Sequence, residues 1–116
     1  MMFAFRILMV VLFVAISGYT AVTIASHGWN LAPVFFGDMA AMAWPGQFNF
    51  DFMCFLILSA LWVSWRHQFS AAGLLLGAIA SVGGMLFLSA YLFIAAGQAK
   101  GDVRELLLGK ARAAQS

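Results

Sequence analysis

Ala71-Ala-Gly-Leu-Leu-Leu-Gly-Ala-Ile-Ala-Ser-Val-Gly-Gly-Met-Leu-Phe-Leu-Ser-Ala-Tyr-Leu-Phe-Ile-Ala-Ala96 carries no charged residue. Roughly twenty residues at about 1.5 Å rise cross a hydrocarbon core of about 30 Å. The run exceeds that length, so residues 71–96 read as a membrane span with room to tilt. The fold class follows: an all-α, polytopic transmembrane helical protein.

Working outward, the short connection Gln68-Phe69-Ser70 precedes this run, and before it residues 50–65 form a second apolar run closed by Trp62, Trp65, Arg66 and His67. So tight a connection predicts an antiparallel hairpin of two spans. Asn49 and Asp51 stand where side-chain acceptors cap a helix start. Residues 7–25, behind Arg6, give the remaining span. Between Trp29 and Trp44, residues 31–44 are too short to cross comfortably and hold Asp38 at their middle, so an interfacial or re-entrant helix is predicted there. Downstream, Asp102 with Glu105 three positions later resembles a capping box and Gly109 a stop, which predicts a short amphipathic surface helix over 102–108. The chain is read as a single transmembrane domain, 1–116, with three spans and a four-span alternative.

Composition agrees with that reading. Of 116 residues, 65% are hydrophobic and 9% charged, whereas about a quarter of a soluble domain is charged. A net charge of +2 is too small for a nucleic-acid footprint, and no nucleic-acid partner is expected. Cys54 is the only cysteine and forms no internal disulfide or thiolate cage. Four Lys/Arg follow residue 99, which predicts a cytoplasmic C-terminus in a multi-pass protein of the bacterial inner membrane. Three spans then leave Arg6 and Arg66 on the outer side, a mild violation of the same rule. A fourth crossing through 31–44 returns Arg6 to the side of the cluster.

Three groups of residues stand out. Gly73, Gly77 and Ser81, with Gly84 beyond them, make a small-residue stripe that lets another helix approach closely, either from this chain or from a second one. Asp38, Asp51, Asn49 and His27 are candidates for a polar or ion site, since a carboxylate near hydrocarbon is costly; for Asp51 a helix cap is the plainer role. Trp29, Trp44, Trp62, Trp65 and Arg66 are interfacial anchors. An aromatic content of 16% suits a bound lipid, quinone or pigment as well as ordinary packing, and no cofactor or metal is expected. His27 and His67 flank spans instead of lying within them, on opposite sides in the three-span reading, which does not suit bis-histidine haem. No HExxH, GxSxG or Walker motif occurs, and no enzyme is expected.

Asn49-Phe50-Asp51-Phe52, Trp62-Val63-Ser64-Trp65-Arg66, and Lys100-Gly101-Asp102 followed by Leu106-Leu107-Leu108-Gly109 resemble uncharacterised small bacterial membrane proteins grouped as domains of unknown function. The resemblance implies a topology and carries no activity. In length the chain is also similar to the small multidrug resistance transporters, but its first span lacks their membrane glutamate. The expectation is an accessory or assembly subunit of a larger inner-membrane complex of respiratory or photosynthetic type, packing on other transmembrane helices through its third span. The alternatives are a small homo-oligomeric transporter or channel using Asp38 and Asp51, and a lipid, quinone or pigment binder.

Overall fold

A computed structural model describes residues 2–115, and every regular element among them is a helix. In chain order these are α1 (Met2–His27), α2 (Leu31–Ala41), α3 (Trp44–Arg66), α4 (Ala71–Ala99), α5 (Val103–Leu108) and α6 (Lys110–Gln115). Three of them, α1, α3 and α4, are long and apolar enough to cross a membrane.

Local chemistry sets the boundaries. Met42 takes a left-handed conformation that stops α2, and extended Ala43 leads into α3, where Pro45 occupies the first turn. Proline suits that turn because its missing N–H has no intrahelical acceptor there. The helix therefore begins at Trp44, and Asn49 and Asp51 lie inside it; neither caps its start. Ser70 caps α4 by accepting from the Gly73 N–H at 3.1 Å. Asp102 caps α5 by accepting from the N–H groups of Arg104 and Glu105.

The apolar run of α4 is not straight. Gly84 has φ 56° and ψ −145°, outside any helical region and close to a region that only glycine occupies readily. A Cβ on the preceding Gly83 would lie 2.6 Å from Cβ of Phe87, so both glycines are needed for the reversal. Residues 71–83 run antiparallel to α3: Gly73 faces Ser64 and His67, Gly77 faces Ala60 and Ser64, and Gly84 faces Phe52 and Leu56. Residues 85–99 then return, so that Tyr91 stands beside Trp62, His67 and Arg66. Each arm is about 20 Å long at helical rise, short of a ~30 Å core. α4 is thus a helical hairpin whose two ends lie together.

The start of α1 packs on the returning arm. Arg6 Nε donates to the Phe93 carbonyl at 3.2 Å, and its guanidinium lies 4.0 Å from the Phe93 ring centre. Ala95, Ala96, Ala99 and Leu106 form a small buried cluster beside Met2 and Phe5. At the opposite end α2 folds back on the start of α3. There the backbone of Asp38 and Met39 comes so close to Gly46 that a Cβ has no room.

One end of the molecule consequently gathers the start of α1, the end of α3, both ends of α4, and the pair α5–α6. All six Lys/Arg belong to these segments. The end of α1, α2, and the start of α3 form the other end, with Asp38, Asp51 and His27.

Candidate functional site

Arg66 is the last residue of α3 and is only 9% exposed. Its guanidinium reads the end of α5. Nε donates to the Leu106 carbonyl at 2.7 Å and Nη2 to the Glu105 carbonyl at 3.4 Å. One turn earlier, Trp62 Nε1 donates to the Leu107 carbonyl at 3.1 Å. A helix leaves its last carbonyls without intrahelical partners, and here those of Leu106 and Leu107 are taken by side chains of α3, while the Glu105 carbonyl also accepts the Gly109 N–H at 2.8 Å. Gly109, which ends α5, sits against the Arg66 carbonyl where a side chain has no space. Arg112 completes the clamp: its Nε donates to the Trp65 carbonyl at 3.0 Å and its guanidinium lies 4.3 Å from the Trp65 ring centre.

A second set of bonds joins this clamp to α4. Arg66 Nη1 donates to the Tyr91 hydroxyl at 3.1 Å, and that hydroxyl lies 2.7 Å from His67 Nε2. With Arg66 donating, the Tyr91 O–H is free to donate to an unprotonated Nε2, which assigns the neutral imidazole its Nδ1–H tautomer from the network. Burial, and then the neighbouring Arg66 charge, holds the His67 pKa below its ordinary value. Among the described residues no carboxylate pairs with Arg66.

Beside the clamp lies an open cleft of about 610 Å³. Its lining includes Arg66, Lys100 and Lys110, Gln68 and Gln98, and Glu105, so among the described residues Lys and Arg outnumber carboxylates three to one.

No family model, curated protein or solved structure matches this chain. Each residue's role therefore rests on what it touches.

The residues singled out from sequence fall in several places. Gly73 and Gly77 are buried against α3, where a Cβ at Gly77 would meet the Ser64 hydroxyl. Ser64 Oγ in turn donates to the Gly73 carbonyl at 3.2 Å. Ser81 bonds within its own helix, to the Ala78 carbonyl, and Gly84 makes the reversal. Trp62, Trp65 and Arg66 form the clamp just described, whereas Trp29 and Trp44 are exposed at the far end. There Asn49 Nδ2 donates to the Phe35 carbonyl at 3.1 Å and reaches Asp38 Oδ2 at 3.5 Å. Asp51 instead lines a shallow groove with Gln47 and Cys54, and His27 is exposed. No cluster of three or more His, Cys, Asp or Glu occurs among the described residues. Tyr91, Gln98, Lys100 and Lys110 join the site only because α4 folds back. The visible signal for that was the Gly83-Gly84 pair inside an otherwise unbroken span.

Proposed function

We propose that this chain is an accessory or assembly subunit of a larger bacterial inner-membrane complex, of respiratory or photosynthetic type. In this reading it crosses the bilayer twice, through α1 and α3, with both termini cytoplasmic and α2 and α4 entering from opposite faces without crossing. The observation that supports the role is the bareness of its crossing helices. Of the membrane-length stretches of α1 and α3, only 6% and 11% of residues are buried within the chain. Helix association in lipid relies on side-chain packing, and a helix with so little of it inside its own chain has most of its surface left for neighbours.

The surface offered to a partner is then α1, with Gly18 open, and not the Gly73/Gly77 stripe, which α3 already fills. Mild-detergent purification of the tagged protein from its own membranes, with mass spectrometry and an absorbance spectrum of the eluate, tests the role. A stoichiometric membrane partner is expected, and a respiratory or photosynthetic subunit or chromophore among the co-purified species names the complex. A stable monomer or pure homo-oligomer eluting alone overturns the reading.

A further inference from the structure

We propose that the basic cleft beside the Arg66 clamp binds the phosphate of an anionic phospholipid. The charge on Arg66 is the first ground. A buried cation is costly unless compensated, and here carbonyl dipoles and one phenol supply the compensation while, among the described residues, no carboxylate does. A guanidinium carries five N–H donors in a planar fork, and three bonds leave two of them for a ligand on a residue that lines the cleft. Lys100 and Lys110 face the same space from the end of α4 and the start of α6, two exposed ammonium groups on separate elements. Gln68 and Gln98 add carboxamide donors for the remaining phosphate oxygens. Among the described residues of the lining, Glu105 is the only opposing carboxylate.

The position of the cleft distinguishes a lipid from a free phosphate. It sits at the end of α3 that carries Trp62 and Trp65, the residue type that favours the headgroup layer. Deeper along α3, a groove of about 460 Å³ begins at Trp62, one turn from Arg66, and extends between Phe52, Phe55 and Leu56 of α3 and Gly84, Met85 and Leu88 of α4. That groove has room for acyl chain, and a soluble anion has nothing to place there. Basic recesses between helices on the cytoplasmic side are the surfaces that select anionic headgroups. The proposal does not require a protein partner, so it stands or falls apart from the subunit role.

Native mass spectrometry of the purified protein, offered phosphatidylcholine and phosphatidylglycerol of equal chain length, tests it. Preferential retention of phosphatidylglycerol is expected. K100Q/K110Q should weaken that retention about twenty-five-fold, from a factor of about five for each lysine near an anionic surface. Both positions are exposed, and glutamine at Lys100 meets the same left-handed backbone that lysine does, so the fold should survive. R104Q, on α5 but outside the cleft lining, should leave retention unchanged. Equal retention of the two lipids overturns the proposal. So does a loss in R104Q matching that of the double variant, which would mark diffuse surface charge, and so does displacement of the lipid by equimolar inorganic phosphate, which would mark a free-anion site.

Discussion

Buried arginine needs acceptors for its five N–H groups, and at the end of α3 it finds carbonyls of a helix some forty residues away in sequence. Lysine cannot reproduce that contact, because a single ammonium group lacks the planar fork that spans neighbouring carbonyls. Arg66→Lys is therefore expected to cost about 2 kcal/mol of α5 docking, the net value of one or two charge-assisted bonds. The measurement is tryptic cleavage at Lys100 and Arg104 in micelles, which should accelerate; wild-type kinetics in the variant would exclude the clamp. His67 adds a pH dependence with a defined sign. Its folded pKa lies below the ordinary value near 6.5, so protonation favours the undocked state. Above that ordinary value both states hold a neutral ring and nothing changes. As pH falls below it, the undocked chain binds a proton that the docked one resists, and a protonated Nε2 also faces Tyr91 with a second donor beside Arg66. The Arg66 cation opposes protonation directly; around the adjoining cleft Lys100 and Lys110 have the same sign, and Glu105 is the one carboxylate among the described lining residues. Fluorescence of Trp62 and Trp65 should report undocking below about pH 6.5. His67→Gln should abolish that transition, and His27→Gln, at the far end, should leave it intact.

At the level of elements, α4 decides the architecture. Gly84→Ala forces a Cβ into a conformation essentially reserved for glycine and toward Phe52, and is expected to destabilise the hairpin by about 1–3 kcal/mol. Gly77→Ala drives a Cβ into the Ser64 hydroxyl and should also destabilise, while Gly18→Ala, with open space around it, should be neutral. Unfolding each variant with increasing SDS ranks them, and equal stability of Gly84→Ala and Gly18→Ala would remove the case for the reversal. The existence and type of the long helices were legible in sequence because hydropathy and length suffice for them. The reversal was not, since hydropathy sums side chains and is blind to backbone direction, and Gly83-Gly84 looks the same as glycines that serve packing. The same blindness placed a helix start at Asn49, although Pro45 fits the first turn of a helix beginning at Trp44. Trp62, Trp65 and Arg66 were readable as anchors from type and position. Their partners on α5 and α6 depend on where the chain returns, which no local pattern encodes.

For the molecule as a whole, the hairpin in α4 resolves a conflict in charge placement. A straight third span, with the C-terminal cluster inside, leaves Arg6 and Arg66 outside; folding α4 back puts all six Lys/Arg at one end and leaves Asp38 and Asp51 at the other. Segregation of that kind is what the positive-inside rule selects, and it arises without a fourth crossing through residues 31–44, which are short for a span. The orientation can be read by labelling single cysteines in a Cys54→Ser background with a membrane-impermeant maleimide. Asn30→Cys, between α1 and α2, should label in intact cells. Ala71→Cys and Ala114→Cys, both exposed and flanking the hairpin and its docked tail, should label only after permeabilisation. The pair 71 and 114 is the decisive one, because any topology in which α4 crosses, with three spans or four, puts those two positions on opposite sides. Labelling of Ala71→Cys but not Ala114→Cys in intact cells would therefore restore a crossing α4 and dissolve the cleft that Arg66, Lys100 and Lys110 build together.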